Sequence, residues 1–389
     1  MSPWELLLYA ISKMKSISYI LVALHALAII ASCSCGTESG RGNVSEANGK
    51  GLCRYAEYFE IAEAKDEGGV CGYCIITVSP YGGKRDTVRL HKPIERIVCL
   101  SSTHVACLAE IGADSVVCAV SGMRYLSNPS VRRRYAMTEN SQLQNGASPV
   151  YDIGYDNSLD YERILLLKPD LVTAYSVSAA EPQHVAKLRS LGVPVLLLHD
   201  HLEEHPLARA EYIRLFGALA GRAEIADSMF LSIRDRYLSQ VCYKPGYRKK
   251  VMLNVPYADA WYIPGGDNYM SRLIHDAGGE VLGAARGTGK SGVISIEKAY
   301  SLSQQADLWL NPGHCRSRKE LSDMHQLFPA FGPLARALPI YNNTLRMTPG
   351  GGNDFWESGA VRPDIVLEDL CHIMSGSHDG KLQYFLSLD

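Results

Sequence analysis

The sequence has no long basic block, and its formal net charge is only −2 over 389 residues. Sequence-independent nucleic-acid binding needs a concentrated positive field, so that class of function is excluded. The one dense basic run, Arg132-Arg133-Arg134, reads as a solvated helix face. Also missing is a comfortable spanning segment. The apolar stretch Ile17 to Ser32, "ISYILVALHALAIIAS", falls short of the about 20 residues a transmembrane helix needs. Patterned cysteines are scarce as well. Cys71-Gly72-Tyr73-Cys74 stands alone, with no second pair and no nearby histidine pattern, so neither zinc nor redox work is expected there. The 11 cysteines of the chain are too few for a disulfide scaffold of this size. Cys99, Cys107 and Cys118 sit in apolar contexts and read as core residues.

The short apolar stretch has a different meaning. Lys13 and Lys15 precede it and small residues follow it, the layout of a secretory signal. Ile30-Ala31-Ser32-Cys33 resembles a bacterial lipobox, which would make Cys33 the lipidated first residue. Met14 offers an alternative start, since the residues before it add nothing to the signal. "SCGTESGRGNVSEANGKG" then reads as a flexible tether. Residues 1–32 are thus assigned to a signal and 33–52 to a tether.

From residue 53 to 92 the text alternates with Gly-Gly turns, which predicts β-hairpins. From Pro93 short apolar strands alternate with helices of about ten residues, as βαβ units of a parallel sheet do. This N-terminal α/β lobe covers 93–203. Residues 204–245 hold helical spacing and no strand, with Gly221 as the only break; they form a helical linker. Alternation resumes over 246–389 as a C-terminal α/β lobe. "LLKPDLVTAY" and "SQQADLWLNPG" occupy equivalent places in the two lobes. The fold class is therefore α/β: two Rossmann-like lobes with parallel sheets, a long helical linker, and a ligand cleft between the lobes.

"GAARGTGKSGV", Gly283 to Val293, looks like a phosphate-binding loop. That loop needs glycine where Ala284 stands, and a helix that begins at the Lys-Ser. Here Ser295 is the next helix cap, with Glu297 in the first turn, so the helix starts too late. No acid follows a strand to hold magnesium. The segment is expected to be a polar cleft-edge loop whose cations, Arg286 and Lys290, meet an anionic ligand group.

"PIERIVCLSSTHVACLAEIGA", "DIGYDNSLDYERILLLKPDLV", "LARAEYIRLFGALAGRAEIAD" and "WESGAVRPDIVLEDL" occur in this order. Together they resemble the extracytoplasmic substrate-binding lipoproteins of metal-chelate ABC importers, most of all Bacteroidetes-type versions. The end departs from that pattern: "HIMSGSHDG" lacks the usual His-Pro. The resemblance implies capture of an iron chelate, a ferric siderophore or haem, with cobalamin or another corrinoid as the alternative. It implies delivery to a membrane permease and its ATPase subunit, a periplasmic lipid-anchored location, a monomer, no resident cofactor and no catalysis. A chelatase-like enzyme is a remoter alternative. Bare zinc or manganese would need more histidines than His104 and His314 supply.

Ligands of such sheets sit beyond the carboxyl ends of the strands. The candidates in lobe one are Ser101, Ser102, Thr103, His104, Tyr125, Tyr155 and Tyr175. In lobe two they are Trp261, Tyr262, Arg286, Lys290, His314, Arg346, Phe355 and Trp356. Aromatics can cover a flat chelate, and cations suit its carboxylates. The resemblance also places permease-docking acids at Glu181 and Asp267. Each of these residues has a plainer reading as well, as a strand-end plug, helix cap or core anchor.

Overall fold

In the computed structural model, residues 55–66, 69–140, 148–155, 158–241, 246–258, 260–377 and 381–389 are described. The signal, Cys33 and the tether lie outside them. The hairpin region forms β1 (Phe59–Asp66), β2 (Gly69–Val78) and β3 (Arg85–Leu90), an antiparallel sheet in that order. Phe59, Ile61 and Ile75 bury one face, as period-two patterning requires. Phe59 meets Tyr212 of the linker at 4.5 Å between rings. The chain before β1 is pinned by buried carboxylates: Tyr55 and Ala56 N–H donate to Glu211, and Glu57 and Tyr58 N–H donate to Glu203.

Lobe one contains β4 (Ile97–Cys99), β5 (Val117–Val120), β6 (Tyr151–Asp152), β7 (Leu171–Tyr175) and β8 (Val195–Leu198). All pair in parallel, in the order β6-β5-β4-β7-β8. β4 and β5 are fully buried, which is why they read as unbroken apolar runs. The helices are α1 (Ser102–Glu110), α2 (Pro129–Glu139), α3 (Tyr161–Leu167) and α4 (Gln183–Ser190). α2 contains Arg132-Arg133-Arg134, read from the sequence as a helix face, though the helix's bounds were not. Its start signals are present: Asn128 caps Val131 N–H and Pro129 follows. Among its residues only Val131 is buried, so no apolar stripe announces it.

The linker is α5 (Pro206–Leu219) and α6 (Ala223–Gln240), broken at Gly221 with φ 68°. Lobe two follows with β9 (Lys249–Leu253), β10 (Trp261–Ile263), β11 (Gly279–Val281), β12 (Gly292–Ile294), β13 (Leu308–Leu310), β14 (Ile340–Asn342) and β15 (Leu386–Ser387). Its main sheet runs β11-β9-β13-β14-β15, parallel except for the last strand. β10 and β12 form a separate antiparallel pair. The longer helices here are α7 (Tyr269–Asp276), α8 (Ile296–Ser303) and α9 (Arg318–Asp323). The chain then forms the short α10 (Gly332–Ala335) and α11 (Ser358–Val361), and closes with α12 (Pro363–Ser375). The architecture is the α/β one expected: two doubly wound lobes joined by helix.

The lobes also touch away from the linker. A Cβ on Gly350 or Gly352 would overlap the carbonyl oxygen of Arg124 or Tyr125, so glycine is what lets the two backbones meet. Beside them Ser127 N–H donates to Glu357 at 2.7 Å. Burial pushes the Glu357 carboxyl up to about 8, with Asp354 adding to the rise and bonds from Ser127 and Asn128 opposing it.

Candidate functional site

In each main sheet, two neighbouring parallel strands are joined by a crossover: β4 with β7, and β9 with β13. At such a point the connections leave in opposite directions and open a crevice at the strand ends. Both crevices exist. In lobe one a cavity of about 180 Å³ is lined by Ser101, Ser121, Tyr125, Tyr155 and Tyr175. A second, of about 290 Å³, shares Leu100, Ser121 and Tyr175 with it. In lobe two a cavity of about 350 Å³ is lined by Asn254, Tyr262, Ser291, Asn311, His314, Asn343, Asn353 and Trp356. Tyr125 of the first lies against Gly352, beside Asn353 of the second.

The structure therefore brings Tyr125, Tyr155 and Tyr175 together. The first two rings sit 5.6 Å apart, and the Arg124 guanidinium lies 4.7 Å from the Tyr125 ring centre. From lobe two come Tyr262, His314 and Trp356. Tyr155 and Trp356 are each 47% exposed, so their faces are open to a ligand.

Several sequence-based expectations are corrected. Trp261 is 1% exposed and packs with Trp309, Phe328 and Phe331. It lies in β10, where side chains alternate, so Trp261 and Ile263 face the core and Tyr262 faces out. Phe355 is likewise core. His104 is 1% exposed; its Nδ1 pairs with Thr173 Oγ1 at 3.0 Å and its Nε2 lies 3.6 Å from Asp200. Thr103 turns its hydroxyl to Asp200 at 2.6 Å.

The cations fall away from the cavities. Arg286 is exposed, pairs with Glu280 at 3.7 Å, and lines a separate recess with Asp267 and Arg248. Lys290 is exposed and lines none of the described cavities. Arg346 is held by Asp354 at 2.8 Å. Among the described residues, no lysine or arginine lines the three strand-end cavities. Of the acids placed for docking, Glu181 receives Arg189 at 2.6 Å, and the same guanidinium holds Asp86 of β3.

Sequence reasoning missed the asparagines. Asn254 and Asn311 end β9 and β13 with φ of 65° and 56°. Asparagine tolerates this left-handed region better than most residues. The signal was an Asn directly after two equivalent strands, "VMLN" and "LWLN".

Behind lobe one's crevice lies a polar group: buried His104, Thr173 and Asp200, with half-buried Thr103 in front of them. Burial alone would raise the Asp200 carboxyl, but the facing imidazoles of His104 at 3.6 Å and His201 at 4.0 Å, with the bond from Thr103, outweigh it and hold it well below the usual range. Among the described residues no cluster of three His, Cys, Asp or Glu is placed to hold a metal ion. The site's chemistry is recognition by rings, hydroxyls and amides.

Residues 97–328 match the family of periplasmic binding proteins. A curated relative, an uncharacterized lipoprotein of Methanocaldococcus jannaschii, is 24% identical over 295 residues. The match spans 73% of this chain and 66% of that relative, just under two thirds of its length. A periplasmic binding protein of Veillonella parvula superposes with a TM-score of 0.57 at 14% identity, over 78% of this chain and 99% of that one. A periplasmic haem-binding protein of Pseudomonas aeruginosa does so with 0.53 at 18% identity, over 76% and 98%. At these identities the likeness is one of fold.

Proposed function

The chain belongs to the periplasmic binding protein family, and we propose that it captures a metal chelate outside the cytoplasm for a membrane ABC permease and its ATPase subunit. The observation that carries this reading is the aromatic lining of the facing strand-end cavities: Tyr125, Tyr155 and Tyr175 from one lobe, Tyr262 and Trp356 from the other. Such rings suit the flat, weakly polar body of a chelate. The combined space suits a ligand of drug size or larger better than a bare ion. The haem-binding description of the Pseudomonas aeruginosa structure supports a flat macrocycle. The lipobox at Cys33 and the lipoprotein description of the archaeal relative support lipid anchoring. No described helix is long and apolar enough to cross a membrane. We assign the chain no catalytic step.

The uncharged lining favours one branch of this class. A chelate with free carboxylates would be met by no cation in the cavities, and burying an unpaired charge is costly. Asn254, Asn311, Asn343 and Asn353 instead match a rim of neutral amides, as on a corrinoid or a neutral ferric hydroxamate. The test is titration of the purified protein with haem, cyanocobalamin and ferric siderophores, read by tryptophan fluorescence. Quenching by a neutral chelate is expected. No quenching by any of them would sink the binding reading, and tight binding of haem alone would overturn the preference for neutral rims.

A further inference from the structure

The hydroxyls behind lobe one's cavity have a direction. Ser101 Oγ lies 2.8 Å from Thr103 Oγ1. Thr103 Oγ1 lies 2.6 Å from Asp200 Oδ2, and Asp200 is 8% exposed. A hydroxyl has one proton to donate, and an ionised carboxylate has none. Asp200 is kept ionised, because the side chains of His104, His201 and Thr103 outweigh its burial. Thr103 must therefore give its proton to Asp200. The Ser101–Thr103 bond then needs a proton from Ser101. Ser101 lines the cavity, yet its only proton is committed to Thr103, which leaves its oxygen only the role of acceptor toward a ligand.

We propose that the Ser101–Thr103–Asp200 relay makes Ser101 a hydrogen-bond acceptor only, and so selects chelates that carry an N–H or O–H donor at this part of their rim. The proposal rests on the chelate-binding reading and narrows it. Lobe two's asparagines offer both donors and acceptors, so they do not make this distinction. Ser101 is the contacting residue; Thr103 and Asp200 are positioning residues that act through it. The bias does not come from the charge of Asp200 reaching the ligand. It comes from a fixed proton order that a ligand without a donor cannot reverse, since reversal would leave a buried carboxylate with one donor fewer.

Two measurements test it. The first needs no ligand: neutron diffraction from crystals of the deuterated protein, which locates the hydroxyl deuterons. The Ser101 deuteron is expected on the line to Thr103, and the Thr103 deuteron on the line to Asp200. A Thr103 deuteron pointing at Ser101 overturns the relay.

The second compares two neutral corrins on the full chain in detergent: dicyanocobinamide, with primary amides at the rim, and dicyanocobyrinate heptamethyl ester, with esters in their place. The wild type is expected to prefer the amide form. Ser101→Ala lowers that preference about fivefold, the value of one hydrogen bond. Thr103→Ser keeps it, whereas Thr103→Val reduces it. Equal weakening of both corrins by Ser101→Ala overturns the proposal. If neither corrin binds, the corrin branch of the functional reading fails, and the deuteron positions alone decide the relay.

Discussion

The two lobes order their five strands differently, and only lobe two ends on an antiparallel strand, yet each has a crevice where non-consecutive strands lie side by side, and the two support it with different materials. Behind Ser101 of lobe one stand Thr103, Asp200, His104 and Thr173, a hydrogen-bonded group. Behind Tyr262 of lobe two stand Trp261, Trp309, Phe328 and Phe331, with Trp261 and Phe331 stacked at 5.8 Å. The indoles of Trp261 and Trp309 donate to the carbonyls of Leu253 and Asn254, so the aromatic cluster also fixes the end of β9. A polar support sets the direction of protons at the cavity wall. An aromatic one sets shape, and the amides in front of it are tied to one another and to backbone, as Asn353 is to Asn343 and Asn254 to the Tyr262 carbonyl. The difference teaches that equivalent strand ends need not do equivalent work.

The comparison breaks most severely at Trp261. Trp261→Ala removes a buried indole from the cluster and the bond to Leu253, and is expected to cost about 4 kcal/mol of stability. Urea unfolding measures it. A loss under about 1 kcal/mol would mean that the cluster does not hold lobe two's half of the site.

Next in size is the carboxylate that joins the lobes. Glu357 has an ordinary value of 4.5 and a folded-state value of about 8. Between these limits the folded protein keeps a proton that the unfolded chain releases. Its stabilising contribution is thus complete below pH 4.5 and is lost as pH rises through about 8. Glu357→Gln should flatten that fall and gain roughly 3–4 kcal/mol at pH 8.5 relative to its effect at pH 5. Glu203, pushed up to about 7 by burial, keeps some slope in the variant. Thermal melts from pH 5 to 9 decide it; parallel curves for the two proteins would show that Glu357 is ionised throughout.

A smaller effect probes the open rings. Trp356 is half exposed at the lobe-two cavity, so Trp356→Ala should leave the melting temperature nearly unchanged and weaken chelate binding about tenfold. Tyr125→Ala is the counterpart in lobe one. Comparable losses would mean that both halves grip the ligand; a loss from one side alone would show that the other is only a wall.

How much of this was legible follows from the same residues. β4, β5, β7, β8, β9, β13 and β14 announced themselves as apolar runs, and the linker by its helical spacing without strands, whereas β6, β11 and β15 are too short or too polar to do so. α2 was legible only through its basic face, because its helix is held by a cap, a proline and bonds from Arg132 and Arg134 to carbonyls rather than by an apolar stripe. At the site, position along the chain was legible but direction was not. Trp261 and Tyr262 both follow β9, and only the pairing of β10 with β12 decides which faces the cavity. His104 and Thr103 were rightly placed at a strand end, but their partners Thr173 and Asp200 lie 69 and 97 residues away. No local pattern could reveal that their polar groups were already engaged.

The smallest expected effect concerns "GAARGTGKSGV". Its likeness to a phosphate loop fails on the backbone: β12 starts at Gly292 and α8 at Ile296, capped by Ser295. No helix N-terminus stands at Lys290 to receive phosphate. Of its glycines, Gly289 lies against the Glu204 side chain, while a Cβ on Gly287 or Gly292 would meet nothing. Arg286 and Lys290 line none of the strand-end cavities, and Arg286 already faces Glu280. The double variant Arg286→Ala, Lys290→Ala should therefore bind a neutral chelate as the wild type does, within about twofold, because an uncharged ligand offers these exposed charges no ionic partner. A clear loss of affinity at moderate salt would return both cations to the ligand. The contrast between an uncharged cleft and a charged rim would then have to be abandoned. Unchanged affinity would place recognition in the rings, hydroxyls and amides of the facing cavities.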